Sequence, residues 1–290
     1  MSQGAHFKSS ASIVAVGGSG HPDQVLLYET GSDQWTELPK MSQERKDLPA
    51  ACIVGRRLIV AGGWISKKGA LKTVAVLDMD ANIWTDIAPM SIKRCSFSGV
   101  LLSDDVTFLV TGGYDGSNML SSCEKLNTTT LTWSKAADMS TKRSHHCTVF
   151  YHEKAVVIGG FDGTNVLSSC EQYDDSTDQW TSFPSLTQTR SSHCAAVVND
   201  HIYVAGGYTD DGQPVKSIDV YDGERWVILN SSLAVSRYKC AAVCWNDKLV
   251  VVGGNKKTVE VYDPDTSLWS YDVVPRLPLD NNWDLCSVTF

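Results

Sequence analysis

The sequence predicts an all-β chain folded as a six-bladed propeller of four-stranded antiparallel blades. Three observations carry that expectation. Two adjacent glycines recur six times, each pair closing a short apolar run: Gly17-Gly18, Gly62-Gly63, Gly112-Gly113, Gly159-Gly160, Gly206-Gly207 and Gly253-Gly254, spaced 45, 50, 47, 47 and 47 residues apart. A tryptophan follows each pair in phase (Trp35, Trp84, Trp133, Trp180, Trp226, Trp269), preceded seven residues earlier by Tyr28, Leu77, Leu126, Tyr173 and Tyr262, and five earlier by Tyr221. An arginine lies four residues beyond a Met or Leu at Arg45, Arg94, Arg143, Arg190 and Arg237. A period of this length marks a repeat architecture, whose units bury their faces only against one another. Antiparallel sheets stacked radially around an axis satisfy that need.

The elements follow in order within one domain, residues 1–290. Blade one, about 10–43, has no leading strand, since Ser12-Ile-Val-Ala-Val16 runs straight into its glycine pair. The missing innermost strand is expected from the C-terminus, 283–290, where Cys286-Ser-Val-Thr-Phe290 resembles the strand starts at Cys194 and Cys240. Blades two to six are expected at about 48–92, 95–141, 144–188, 191–235 and 238–278. Blade five reads most plainly. His193 to Val198 is a small apolar strand, Asn199-Asp200 a two-residue turn, and Ile202 to Ala205 a second strand ended by the glycines. After a polar loop, Ser217 to Tyr221 alternates as a half-buried strand would, and Asp222-Gly223 turns into a fourth strand at Trp226–Leu229. The tryptophans are expected to fill the wedges between blades, with Tyr173, Tyr221 and Tyr262 in the core.

Composition narrows the function. The formal charge of −8 disfavours nonspecific binding to nucleic acid or anionic lipid. No apolar run is long enough to span a bilayer, and Met1 to Ser10 lacks a signal core. The nine cysteines follow the repeat rather than a metal motif, with Cys147, Cys194, Cys240 and Cys286 taken as equivalent and Cys123 and Cys170 as a second set. They read as buried, reduced thiols of a cytosolic or nuclear protein, and a ring of them near the axis is a candidate for soft-metal binding or oxidation sensing.

The glycine pair, the Tyr-Asp and the Trp together resemble the Kelch motif, with Gly112-Gly-Tyr-Asp-Gly116 and Gly159-Gly-Phe-Asp-Gly163 in its characteristic form. The resemblance covers essentially the whole chain and is looser in the first and sixth repeats. Within that family the pattern is most similar to the BTB–Kelch group. There the resemblance implies a Kelch domain that recruits a substrate protein to a cullin-RING ubiquitin ligase, whose chemistry lies in other subunits. The cullin would be reached only through a BTB region, and no segment here reads as one, so the chain is either an excised domain or acts otherwise. Some Kelch proteins bind actin instead, and some are metalloenzymes.

The linkers between blades carry the five arginines, with Lys46, Lys93, Lys142 and Lys239 adjoining. These linkers and the loops after the glycine pairs are expected on one face, giving a basic ring suited to an acidic peptide. The resemblance implies partner binding at both loop sets. Carried over, the candidates are Arg45, Trp64, Arg94, Tyr114, Arg143, Ser144, Phe161, Arg190, Ser191, Tyr208, Arg237, Tyr238, Asn255 and Trp283. Ser19 and Cys95 occupy matching positions, Trp283 stands where a sixth arginine would be, and Lys46 stands where the family often has Ser. The competing reading is structural: a repeated arginine pairing with a repeated Glu124 or Glu171 in each blade. No catalytic motif or cofactor site is expected. His145, His146 and His193 are the only plausible metal cluster, and adjacent His145 and His146 would point to opposite faces of a strand.

Overall fold

The computed structural model describes residues 12–17, 20–254 and 256–278, and the backbone of 286–289. It contains six four-stranded antiparallel sheets in sequence order, plus one small hairpin of Trp64–Ile65 with Gly69–Ala70. Blade four shows the pattern: Cys147–Tyr151, Lys154–Phe161, Val166–Asp174 and Gln179–Phe183, each paired with the next. Among the described residues there is no helix.

Blade one closes the ring. Its sheet runs Cys286–Thr289, Ile13–Val16, Val25–Tyr28, Thr36–Leu38, with Ile13 opposite Thr289 and Val16 opposite Cys286. The C-terminal strand therefore covers an edge that the N-terminal segment would otherwise leave unpaired. A second closure lies further out. The Trp35 indole donates to the Pro275 carbonyl at 2.9 Å, and Trp245 donates to the Thr30 hydroxyl at 3.0 Å.

The second and third strands of each blade sit between two neighbours, so both faces are covered. Arg57–Ala61 and Lys248–Gly253 are buried along nearly their whole length. The expected half-buried alternation in blade five is absent for the same reason: Ile218–Tyr221 is buried at every position, the carboxylate of Asp219 included. The fourth strands, such as Ile83–Ile87 and Gln179–Phe183, carry the solvent-exposed positions, and the innermost strand Cys194–Val198 alternates between buried and half-buried. The tryptophans sit on or beside those outer strands and reach back to the preceding blade. Trp84, Trp133, Trp180 and Trp226 donate to the carbonyls of Pro39, Ala88, Ala137 and Pro184 at 2.8–2.9 Å. Each indole thus fills apolar volume and also fixes the spacing of two blades.

The glycine pairs are where backbones approach most closely. Gly112 has φ +56, and a Cβ there would lie 2.5 Å from the Arg143 carbonyl oxygen. At Gly113, with φ +102, a Cβ would lie 2.8 Å from the Cys95 carbonyl oxygen. The incoming linker presses on one glycine and the outgoing linker on the other, so neither tolerates a side chain.

Gly112→Ala adds both left-handed strain and a backbone clash and is expected to cost at least about 1–3 kcal/mol. The check is the urea midpoint. An unchanged midpoint would contradict this account of the pair. Removal of residues 286–290 is expected to abolish the single cooperative thermal transition, measured by circular dichroism, by exposing the edge of Ile13–Val16.

Candidate protein-binding face

Each linker arginine is wholly buried, between 0% and 1% exposed. The expected exposed basic ring is therefore not formed, and Arg45, Arg94, Arg143, Arg190 and Arg237 do not face a partner. Each reaches into the following blade. The Nη1 of Arg143 donates to the carbonyls of Gly159 at 2.7 Å and Ser169 at 3.0 Å, and its Nη2 donates to Glu171 at 2.7 Å. Arg94 does the same with Gly112, Ser122 and Glu124. In blades five and six the carboxylate is Asp219 or Glu260, met through Nε at 3.3 and 2.9 Å. The carboxylates also hold the linker backbone: Ser140 N–H donates to Glu171 at 2.7 Å and Ala234 N–H to Glu260 at 2.7 Å.

The charge of Arg94, Arg143, Arg190 and Arg237 is thus spent on peptide carbonyls and one buried acid each. These hydrogen bonds and the Arg143 charge hold Glu171 below the usual carboxylate range, although burial works the other way. Arg45 is the exception: blade two has Ala75 at the acid's position, and burial lowers the Arg45 guanidinium to about 10, with Asp86 partly opposing. Blade one, which no described arginine enters, has Leu26 there.

With the arginines inside, the residues flanking them form the face. The residue after each of the first four arginines exchanges two backbone hydrogen bonds with the residue after the next glycine pair. The couples are Lys46 with Trp64, Cys95 with Tyr114, Ser144 with Phe161 and Ser191 with Tyr208, all at 2.8–3.0 Å. The two expected loop sets are therefore stitched together at one end of the propeller. Trp64, Tyr114, Phe161, Tyr208 and Tyr238 are half-buried there. Trp64 stacks on Tyr114 with centroids 6.5 Å apart, and Tyr208 lies 4.6 Å from Tyr238. Ser144 and Ser191 are buried beneath. The loop tips are braced: Asp115 and Asp162 each accept two backbone N–H groups at 2.7 Å. The exposed cations of this face are lysines, Lys93 and Lys142, whose charges help to hold Asp115 and Asp162 ionised. Ser19, Asn255 and Trp283 lie outside the described residues.

Sequence reasoning missed a ring at the axis. Asp47, Ser96, His145, Ser192 and Lys239 all have φ between +49 and +56. Their backbones link consecutively: Ser96 N–H to Asp47, His145 to Ser96, Ser192 to His145 and Lys239 to Ser192, at 2.7–2.9 Å. The Lys239 ammonium then meets the Asp47 carboxylate at 3.0 Å. The available signal was a fixed offset, two residues beyond each arginine, filled by polar residues throughout.

Beneath this ring lies a cavity of about 130 Å³ that His145, His146 and His193 all help to line. His145 is in the linker, not in a strand, so the expectation that it points opposite to His146 fails. His146 accepts or donates to Thr111 at 2.9 Å. Among the described residues no three His, Cys, Asp or Glu side chains converge as metal ligands. The expected equivalence of the cysteines also needs correction. Cys147 and Cys194 pair with Ile158 and Ala205, each the residue before a glycine pair, as Cys286 does with Val16. Cys240 pairs with Gly253 itself, one position earlier, where blades four and five carry His146 and His193.

Comparison with known proteins agrees with the architecture. Residues 48–189 match the KLHDC2/KLHL20/DRC7 Kelch-repeats domain, and residues 189–232 and 236–275 match Kelch motifs. The chain belongs to the Kelch-repeat propellers. It is 32% identical over 144 residues to the F-box/kelch-repeat protein At1g80440 of Arabidopsis thaliana, covering 47% of this chain and 40% of that protein. It is 29% identical to Kelch repeat-containing protein kel-10 of Caenorhabditis elegans, over 50% of this chain and 27% of the relative. Human Kelch-like protein 24 is 31% identical over 33% of this chain and 15% of its own length. The chain thus spans less than half the length of these curated relatives. The solved structure of YjhT superposes with a TM-score of 0.77 at 15% identity, covering 89% of this chain and 94% of that one, which supports the fold. Kelch propellers are protein-interaction domains.

The buried histidines of this Kelch domain set a pH dependence. Burial, aided by Arg190, lowers His193 to about 3, and burial, aided by Lys239, lowers His145 to about 4. His146 is lowered too, by burial and then by Arg143. Each is neutral when folded and takes up a proton when unfolded below 6.5. Stability is therefore complete above that pH and falls toward pH 4, by about 1.4 kcal/mol per pH unit per histidine once well below 6.5. Urea denaturation at pH 7 and about pH 5 checks this, with a shallower loss expected for His193→Gln. Equal stability at both values would show that these rings reach water in the native protein.

Proposed function

We propose that this Kelch domain is the substrate-recognition part of a ubiquitin ligase and holds a segment of its target protein on the linker-loop face. The observation that supports the reading is the cluster of Trp64, Tyr114, Phe161, Tyr208 and Tyr238 on one braced end of the propeller. Large, half-exposed aromatics held on a rigid scaffold are the residue types that dominate interface hot spots, and little ordering entropy is left to lose on binding. Lys46, Lys93 and Lys142 around them suit carboxylates on the target, so the preference for an acidic segment rests on lysines rather than arginines. The link to ubiquitin ligases comes from relatives named as F-box/kelch and Kelch-like proteins and from the resemblance to the BTB–Kelch group. A cullin would be engaged through a BTB-type or F-box-type region outside this propeller. The free thiols suit the cytosol or nucleus.

The test is capture of targets from cytosolic extract by the wild-type domain and by Trp64→Ala/Tyr114→Ala and Tyr208→Ala/Tyr238→Ala. Titration of the identified segment into each variant follows. A hot-spot pair is expected to weaken the segment by at least about thirty-fold, corresponding to about 2 kcal/mol, with unchanged melting. Folded variants that keep every target, or that keep co-sedimenting with actin filaments, would contradict the proposal.

A further inference from the structure

Cys194 and Cys240 stand on adjacent innermost strands, Cys194–Val198 of blade five and Cys240–Trp245 of blade six. Their Sγ atoms are 3.1 Å apart. The one-position offset explains the meeting. Neighbouring positions along a strand point their side chains to opposite sides. Cys194 therefore faces blade six while Cys240, in the histidine's place, faces back to blade five. In the preceding blade the same geometry sets Cys147 against His193, and the Cys147 thiol donates to the His193 carbonyl at 3.0 Å. The small residues beside the pair, Ala195, Ala196, Ala241 and Ala242, allow the strands to come this close.

The pair is buried, 2% and 4% exposed, yet it borders space wide enough for a small oxidant. Both cysteines line the 130 Å³ axial cavity beneath the linker ring, which adjoins a second cavity of about 280 Å³ further along the axis. The first alone exceeds several-fold the space one water requires. We propose that Cys194 and Cys240 form a redox modification site, which a hydroperoxide closes into a disulfide that staples blade five to blade six at the channel wall.

The chemistry balances with hydrogen peroxide as oxidant. The Cys240 thiolate sulfur attacks one peroxide oxygen and the O–O bond breaks, leaving a sulfenic acid, while the departing hydroxide takes up the proton lost by Cys240 as water. The Cys194 sulfur then attacks the Cys240 sulfur and the S–O bond breaks, the departing hydroxide leaving as a second water with the Cys194 proton. Two thiols are oxidised and one peroxide is reduced. In the resting pair the Cys240 thiol donates to Cys194. Once Cys240 is ionised the bond reverses, and the hydrogen bond from Cys194, with Arg237 assisting, favours the Cys240 thiolate against burial, so Cys240 attacks first. The sulfurs need to close only from 3.1 Å to about 2.05 Å.

The test treats the native domain with hydrogen peroxide, counts remaining thiols with time and maps disulfides by mass spectrometry of unreduced digests. Two thiols are expected to disappear before the others, yielding a Cys194–Cys240 cross-linked peptide that dithiothreitol reverses. Cys147→Ala is expected to leave that cross-link intact. Cys240→Ala, checked for native melting when reduced, is expected to slow the first loss at least ten-fold. Three results would each overturn the proposal: both thiols surviving in folded protein while other cysteines oxidise, Cys147 appearing as the partner, or unchanged loss in Cys240→Ala.

Discussion

The buried arginine that crosses from each of five linkers into the next blade is the interaction on which this propeller depends. A ring of sheets has no continuous core. Neighbouring blades touch mainly through side chains, and the chain passes between them as linkers that lie outside the sheets, held by isolated bridges and one consecutive run of backbone hydrogen bonds. The guanidinium answers that weakness because it presents several donors in a fixed fork. From Arg143 that fork satisfies the carbonyls of Gly159 and Ser169 and the carboxylate of Glu171, which also receives the linker N–H of Ser140. One charge pair thereby fixes the linker, the strand end and the third strand of the following blade. The close approach is what excludes a Cβ from Gly112 and its equivalents.

Drawing the arginines inward determines the character of the face. The residues after the first four arginines are held by paired backbone hydrogen bonds to the loops that follow the glycine pairs. Aromatic side chains then occupy known, nearly fixed positions at the mouth of the axis, with lysines outside them. A partner meets a surface organised by buried charge rather than one displaying it. The same inward pull draws the innermost strands around a narrow axis. There small side chains predominate, and a cysteine in the histidine's place in blade six brings two thiols together.

Much of the fold was legible because it is written in repetition. The glycine pairs, the tryptophans and the strand at Cys286–Thr289 each have one geometric solution once six repeats must close. The site was less legible, for a physical reason. A linker arginine reads alike whether its guanidinium points out or in. The deciding signal was the acid two residues before the third-strand aromatic or leucine, Glu124, Glu171, Asp219 and Glu260, each preceded by an arginine, with Leu26 where no described arginine enters and Ala75 after Arg45 as the one departure. That co-occurrence favours the structural role. The left-handed ring at Asp47, Ser96, His145, Ser192 and Lys239 carried no glycine to announce it. The offset of Cys240 was hidden because it fills the histidine position of its repeat, three residues beyond Arg237 as His146 and His193 lie beyond Arg143 and Arg190, whereas Cys194 lies four beyond Arg190.

The most direct measurement is a double-mutant cycle on Arg143 and Glu171, using Arg143→Met, Glu171→Gln and the combination, with stability read from urea denaturation. If the arginine is a buried brace, Arg143→Met strands a buried carboxylate and costs about 3–5 kcal/mol. The double variant is then less damaged than the sum of the singles by at least about 1 kcal/mol. Additive effects, or an Arg143→Met protein as stable as the wild type, would show that the arginine is not held by its acid and would return it to the surface as a partner contact.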